Sequence, residues 1–323
     1  ALCPAIGADE ESVFAMQVPL YVDACMKELL SVIKCGSTAY LMKQSMFLSP
    51  LKAVEFLNEH RVNTLCWVAS ALTIISGLGA FEDIKPEYMR TVCFGSEAFP
   101  VKQLQLWQSA CPGARFVNLY GPTEATGMSF YYVVDRDFSD GEPIPVGRPF
   151  DNTGFMLLRE DDTEAAPGET GEICIRGTAL THGYFDDPER TAAAFTQNPL
   201  NKHYPELIYR TGDLGRINER GELVFVSRKD HQIKNMGHRV ELGEIEACAD
   251  GCEGVVRSCC MFDKQKGKLL MFYMGAADEK TLGKYLRSML PRYMLPSKIK
   301  RLDALPLLEN GKIDRNSLKD MEI

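Results

Sequence analysis

The chain has 323 residues, 45% of them hydrophobic, so it is long enough to bury more than one core. Its net charge of -8 and the lack of a basic tract argue against nucleic acid as the main partner. We find no apolar run that could cross a bilayer and no secretory signal. The eleven cysteines lack paired or metal-finger spacing, which predicts reduced, buried thiols in a cytoplasmic protein.

Helical and extended patterns alternate over residues 1–128, which predicts a partial α/β subdomain with a mainly parallel sheet and helices on both faces. The predicted helices are 26–33, 51–60, 69–78 and 101–110, and the predicted strands are 38–41, 63–68, 91–94 and 115–119. Ligands bind beyond the carboxyl ends of such strands.

Short strands with Pro and Gly between them then predict a small antiparallel β subdomain over residues 129–229. Its predicted strands are 130–134, 154–158, 172–176 and 222–226. Residues 230–323 are predicted to form a compact, mobile α+β domain, with helices 241–250 and 280–290 and strands 255–263 and 269–274. The charged residues that open it form a polar linker at which the chain can swivel.

Two loops lie at predicted strand ends in the first subdomain, GSEAFP at 95–100 and YGPTE at 120–124. Tyr120 offers a flat face to a base, and Gly121 lets the backbone approach a ligand. Thr123 offers a hydroxyl to phosphate, and Glu124 offers a hard oxygen to Mg²⁺. A plain Gly-Pro turn with a helix-capping Thr explains the second loop equally well when it is taken alone.

The stretch 209–246 contains a dense run of charged residues. We expect Asp213 to project from a Thr-Gly-Asp turn, where its carboxylate can accept from both hydroxyls of a ribose. A hairpin turn is predicted at Gly221, and Arg228 then presents a fixed positive fork to a ribose or phosphate oxygen. An ordinary surface hairpin with an Asp-Arg pair is the alternative.

Five motifs occur in order: NLYGPTEAT, YRTGDLGR, SRKDHQIKNMGHRVELGEIE, LPRYMLP and NGKIDR. Together they resemble the core motifs of the adenylate-forming superfamily. The resemblance covers essentially the whole chain and is strongest to the amino-acid adenylation domains of nonribosomal peptide synthetases and to D-alanine:carrier-protein ligases. It implies activation of an amino acid with ATP and Mg²⁺, followed by transfer to the phosphopantetheine thiol of a carrier protein. A monomer, or a module of a larger chain, is expected.

The resemblance implies a role for each matching residue of the nucleotide site. Tyr120 would pack on adenine, Asn118 would bond its amine, and Phe225 would add a second apolar face. The residues placed beside the phosphates, the metal ion, the ribose or the base are Gly95, Ser96, Glu97, Gly121, Thr123, Glu124, Asp213 and Arg228.

Three positions in the C-terminal part also match the family. Lys312 corresponds to the lysine essential for adenylation, and a mobile ammonium can bridge two negatively charged reactants. Asp230 would be the hinge, and the loop from Lys234 to Gly237 would face the thiol arm in a second state. Without the other motifs, a solvated Lys near the C-terminus is the simpler explanation of Lys312.

The substrate assignment depends on Asp23, which stands where the amino-acid branch has a carboxylate that pairs the substrate ammonium. A helix-start Asp is the alternative. The side-chain pocket implied by the resemblance is lined by Phe94, Leu119, Gly127 and Met128, and the bulk of Phe94 and Met128 favours a small or modest apolar amino acid.

The family also has an early Ser/Thr/Gly-rich loop ending in Lys that wraps the phosphates, and these 323 residues contain no such run. We therefore expect the chain to be the C-terminal part of a longer ligase, with little or no activity alone. An acyl- or aryl-CoA ligase and a non-catalytic AMP-binding module are the rival functions.

Overall fold

The computed structural model describes residues 1–139, 142–229, 232–263, 266–306, 313–319 and 321. The chain divides into two compact units, Ala1–Lys229 and Asp230–Ile323. Within the described residues, no helix combines the length and the apolar character that a membrane span requires.

The first unit is organised around a seven-stranded sheet whose strand order is β2-β1-β3-β4-β5-β6-β7. The first five strands in this order are parallel to one another. Strand β6 pairs antiparallel with β5, and β7 pairs antiparallel with β6. The strands are β1 Val13–Met16, β2 Thr38–Leu41, β3 Thr64–Val68, β4 Thr91–Gly95, β5 Arg115–Tyr120, β6 Phe130–Val133 and β7 Arg148–Pro149.

Helices cover both faces of this sheet, as its sequence pattern predicts. The helices are α1 Leu2–Ile6, α2 Met26–Cys35, α3 Pro50–Glu59, α4 Ala69–Gly77, α5 Ala80–Asp83 and α6 Val101–Ala110. Because side chains alternate along a strand, Phe94 packs into one core with α3, α4 and α6, whereas Leu119 packs into the other with α1.

Two strands of the first sheet differ from the sequence prediction. Strand β1 was not predicted, although it lies inside the sheet between β2 and β3. The strand predicted at 130–134 was assigned to the β subdomain, but β6 pairs with β5 in the first sheet. A hydrogen-bonding partner decides membership of a sheet, and the local sequence does not show which strand that partner is.

A second, antiparallel sheet completes the first unit. Its order is β10-β11-β9-β8, and β12 pairs with β11. These elements are β8 Thr153–Leu158, β9 Gly171–Gly177, α7 Pro188–Ala194, β10 Phe195–Gln197, β11 Leu207–Ile217 and β12 Leu223–Arg228. The predicted hairpin turn is confirmed, with Gly221 at a φ of 75° between β11 and β12.

The predicted Thr-Gly-Asp turn is wrong. Residues 211–213 lie inside β11, where the pairing with β9 is irregular between Arg210 and Leu214. Gly212 has a φ of 70° there. Gly212 therefore has the positive φ that is typical of a turn glycine, but it lies at an irregularity within a strand.

The second unit is a small α+β fold. It comprises β13 Gln232–Asn235, β14 His238–Glu241, α8 Leu242–Asp250, β15 Val255–Asp263, β16 Lys268–Gly275, α9 Glu279–Met289, β17 Lys298–Arg301 and α10 Arg315–Lys319. The helices and strands predicted at 241–250, 255–263, 269–274 and 280–290 correspond to α8, β15, β16 and α9. The β13–β14 hairpin and the parallel edge strand β17 were not predicted.

Helix α2 is oriented against its own amphipathic pattern. It buries Lys27, Glu28 and Ser31, while Leu30 and Ile33 are exposed. Burial raises the pKa of the Glu28 carboxyl well above its ordinary value. Apolar side chains on the outer face of a helix leave a surface that other residues can cover.

Candidate functional site

The two candidate loops follow neighbouring strands and lie side by side. Gly95 at the end of β4 pairs with Leu119 of β5. A Cβ at Gly95 would lie 2.3 Å from the Leu119 carbonyl oxygen, and a Cβ at Gly121 would lie 2.5 Å from the Ser129 nitrogen. Only glycine fits at either position, so both loops are held tightly against the end of the sheet.

Tyr120, Asp213 and Arg228 form a connected group in which Tyr120 and Asp213 are buried and Arg228 is partly buried. The Tyr120 hydroxyl donates to Asp213 Oδ2 at 2.5 Å, and Arg228 Nη1 donates to Asp213 Oδ1 at 2.5 Å. Tyr120 ends β5 of the first sheet, whereas Asp213 and Arg228 are paired across β11 and β12 of the second. The structure therefore brings three predicted nucleotide residues together where the two sheets meet.

Burial affects the protonation of Tyr120. Asp213 is 6% exposed and Tyr120 is 8% exposed. Burial, reinforced by the Asp213 charge, raises the pKa of the Tyr120 phenol well above its ordinary value. The hydroxyl therefore stays protonated and acts as a donor to the carboxylate.

The backbone around Asp213 is fixed by its neighbours. The Asp213 N–H donates to Thr211 Oγ1 at 2.9 Å, and the Thr211 hydroxyl donates to the Ile173 carbonyl at 2.7 Å. The buried Glu172 carboxylate accepts from the Gly212 N–H at 3.0 Å. These bonds hold the strand distortion that aims Asp213 at Tyr120.

Asp23 lies beside the YGPTE loop although 100 positions separate it from Thr123 in the sequence. The Thr123 hydroxyl donates to Asp23 Oδ2 at 2.7 Å. The same oxygen lies 3.4 Å from the position that a Cβ at Gly127 would occupy. The residue predicted to pair an ammonium thus contacts the residue predicted to bind phosphate.

Glu124 follows Thr123 and is 5% exposed. Its carboxylate Oε1 accepts from the Tyr184 hydroxyl at 2.6 Å, and its carbonyl accepts from the Thr181 N–H at 2.8 Å. Both partners lie in the loop between β9 and α7. Sequence reasoning missed Tyr184, because neither spacing nor periodicity links it to a residue 60 positions away.

Four other predicted nucleotide residues have defined surroundings. Glu97 Oε2 accepts from the Ser70 N–H at 3.0 Å and thereby binds the N-terminus of α4. Asn118 is buried, and its side-chain amide donates to the Pro145 carbonyl at 2.9 Å. Phe225 is partly buried in the cluster that contains Tyr120. Ser96 adopts a φ of 67°, which marks a sharp bend beside β4.

The residues predicted to line the side-chain pocket lie in different packing clusters. Leu119 and Met128 pack in the cluster on the α1 face, and Gly127 lies beside Asp23. Phe94 is 1% exposed in the cluster on the opposite face, where its ring lies 4.7 Å from that of Phe99. Phe94 therefore packs on the other face of the sheet from Leu119 and Met128.

Lys312 and Asp230 lie outside the described residues. Lys234 belongs to β13, and Gly237 lies in the turn to β14 with a φ of 79°. His238 follows that turn and stacks on Tyr293, with ring centroids 3.9 Å apart and planes at 6°.

The described residues contain no group of three His, Cys, Asp or Glu side chains that could hold a metal ion. A single carboxylate such as Glu124 suits Mg²⁺, which commonly takes one or two carboxylates and fills its remaining positions with phosphate oxygens and water.

The first sheet carries paired loops at its strand ends, where α/β sheets bind ligands, and it is joined to the second sheet through Tyr120 and Asp213. Residues 2–185, more than half of the chain, match the family described as AMP-binding enzyme. The chain belongs to this family, and its relatives and structural neighbours include adenylation domains of nonribosomal peptide synthetases.

Tyrocidine synthase 2 of Brevibacillus parabrevis is 34% identical over 305 residues, which cover 93% of this chain and 8% of the relative. The L-proline--[L-prolyl-carrier protein] ligase of Streptomyces coelicolor is 30% identical over 322 residues, 97% of this chain and 59% of the relative. The structure of holo-PA1221, an NRPS protein containing adenylation and PCP domains, aligns with a TM-score of 0.82 and 28% identity. That alignment covers 96% of this chain and 53% of the other. The chain spans less than two thirds of the length of these relatives.

Proposed function

We propose that the chain forms the larger part of the catalytic machinery of a ligase that activates an amino acid as its adenylate. In this reaction the substrate carboxylate attacks the α-phosphate of ATP, giving aminoacyl-AMP and pyrophosphate. A carrier-protein phosphopantetheine thiol then takes the acyl group and releases AMP. The observation that carries the proposal is the 2.7 Å contact between Asp23 and Thr123.

That contact gives the substrate a defined position. In an α-amino acid only a few bonds separate the ammonium from the carboxylate. An ammonium paired with Asp23 therefore places the carboxylate close to Asp23. A phosphate held by the Thr123 hydroxyl would then lie within reach of the carboxylate. Holding both reactants in one place removes much of the entropic barrier to their reaction.

The connected group of Tyr120, Asp213 and Arg228 supports the nucleotide assignment. In the proposal the Tyr120 ring packs on adenine, Phe225 adds apolar surface, and Asp213 with Arg228 holds the ribose. Asp213 is already oriented by a hydroxyl on one oxygen and a guanidinium on the other. A pre-oriented carboxylate loses little conformational entropy when a ribose binds.

Glu124 is the residue that would hold Mg²⁺, and its buried, hydrogen-bonded carboxylate fits that role. The ion would supply positive charge to the phosphates of the bound nucleotide. Lys312 would supply a second positive charge at the reacting phosphate. We also propose that residues 230–323 move as one body about Asp230 between the two half-reactions, with Lys234 and Gly237 near the thiol arm in the second.

We further propose that full adenylation needs residues beyond these 323. The sequence has no Ser/Thr/Gly-rich phosphate loop, and α2 exposes Leu30 and Ile33 on its outer face. A loop of free backbone amides is the usual cradle for the β- and γ-phosphates, so ATP should bind weakly without one.

The test is amino-acid-dependent exchange of pyrophosphate into ATP by the full-length protein. Asp23→Ala should lower the exchange rate by about 10–100-fold, since a hydrogen bond to a charged group contributes about 1.5–3 kcal/mol. The exposed Asp151→Ala is the matched control and should keep the wild-type rate. Undiminished amino-acid exchange by Asp23→Ala would refute the proposal. Exchange that instead depends on a carboxylic acid lacking an amine would identify an acyl- or aryl-CoA ligase.

A further inference from the structure

The loop between β9 and α7 is attached to the YGPTE loop at three points. The Tyr184 hydroxyl donates to Glu124 Oε1 at 2.6 Å, and the Thr181 N–H donates to the Glu124 carbonyl at 2.8 Å. The Thr126 hydroxyl donates to the Ala179 carbonyl at 2.6 Å. The side chain and the backbone of Glu124 are therefore both held by one loop.

Tyr184 is itself held in place from several sides. Its N–H donates to Thr191 Oγ1 at 2.9 Å, which ties it to the first turns of α7. The Arg190 guanidinium lies over its ring, 4.3 Å from the centroid, and the Phe195 ring meets it edge-on at 6.1 Å. A ring fixed in this way delivers its hydroxyl to a defined position.

Gly183 explains how the chain brings Tyr184 to this position. Its φ is 127°, and a Cβ there would lie 2.4 Å from Thr191 Cγ2. A larger residue would push the loop away from α7 and take Tyr184 with it. The connection between the loop and Glu124 therefore depends on a close approach that only glycine permits.

We propose that Tyr184 is a positioning residue that orients the Glu124 carboxylate for the Mg²⁺ of a bound nucleoside triphosphate. This inference rests on the proposed function, in which Glu124 holds the ion. A hydrogen bond from a neighbouring side chain orients a metal-ligating carboxylate, and removal of such a partner typically lowers metal affinity about 10–100-fold. In this role Tyr184 acts through Glu124.

The experiment measures binding rather than turnover. Affinity for a non-hydrolysable ATP analogue is titrated against Mg²⁺, and affinity for AMP is measured with no divalent ion, both by calorimetry on the full-length protein. Tyr184→Phe keeps the ring and its contacts but removes the hydroxyl. We expect the Mg²⁺ concentration at half-saturation to rise about tenfold, whereas AMP affinity changes less than about twofold.

Tyr132→Phe is the matched control, because the Tyr132 hydroxyl donates to Asp135 at 3.0 Å, another tyrosine–carboxylate bond. It should change neither titration. In a Glu124→Gln background, Tyr184→Phe should have no further effect on the Mg²⁺ response.

Two results would overturn the assignment of Tyr184. One is an unchanged Mg²⁺ titration. The other is an AMP affinity that weakens by the same factor as the Mg²⁺ concentration at half-saturation rises, because general loosening of the loop would affect both measurements. If the wild-type protein binds neither AMP nor the ATP analogue, the proposed function fails, and the inference fails with it.

Discussion

Tyr120→Phe measures how much the hydrogen bond that joins the two sheets of the first unit contributes to stability. The substitution keeps the ring and removes only the hydroxyl that donates to Asp213 at 2.5 Å. A hydrogen bond to a charged group contributes about 1.5–3 kcal/mol. Because Arg228 still balances the Asp213 charge, the loss stays below the 3–5 kcal/mol typical of an unpaired buried charge. We expect the free energy of unfolding to fall by about 2 kcal/mol.

The assay is urea unfolding at pH 7, followed by circular dichroism, with a thermal scan beside it. A loss of about 2 kcal/mol should lower Tm by roughly 4–8 °C for a unit of this size. Tyr131→Phe is the control, since the Tyr131 hydroxyl makes no hydrogen bond to any residue within the described ranges. A Tyr120→Phe variant no less stable than the control would refute the claim that this bond couples the sheets.

Two further predictions concern buried charge in the first unit. Arg228→Met should lower the free energy of unfolding by about 3 kcal/mol, because it leaves the Asp213 carboxylate without its ionic partner; adding Asp213→Asn should recover part of that loss in urea unfolding, and full additivity of the two losses would contradict the pairing. Glu28→Gln should change stability in a pH-dependent way. The raised pKa of Glu28 means that folding favours its protonated form, so the stability it contributes is complete below the unfolded pKa of about 4.3 and is lost as pH rises towards the folded pKa, although the Lys27 charge opposes the shift. Relative to the wild type, the variant should gain stability as the pH rises from about 4 to about 8, and a constant difference across this range would contradict the burial argument.

Much of the fold was predictable because the strands and helices that form the cores on the two faces of the first sheet have regular local patterns of apolar residues. Continuous apolar runs such as those in β3 and β4 are typical of strands buried on both faces, and helices alternate with them. The GSEAFP and YGPTE loops could be placed at strand ends for the same reason. The grouping of Tyr120 with Asp213 was expected from the family motifs, and the structure adds the bonds that connect them.

Other features depend on distant partners and could not be predicted. Gly212 carries the positive φ of a turn, but pairing of β11 with β9 turns it into a distortion within a strand. Leu30 and Ile33 form an apolar stripe that normally faces a core, yet α2 buries Lys27 and Glu28 instead.

Tyr184 is a case of the same kind, because its link to Glu124 exists only after both sheets have formed. A tyrosine between Gly183 and an exposed helix carries no local sign of function. Its role follows from three-dimensional proximity, as does the contact between Asp23 and Thr123.

The most direct test of the proposed nucleotide site is a crystal structure of the chain with bound AMP. We predict that the ribose hydroxyls contact Asp213 and Arg228, that the adenine lies against Tyr120, and that the phosphate lies at Thr123. AMP bound away from these four side chains would contradict the account.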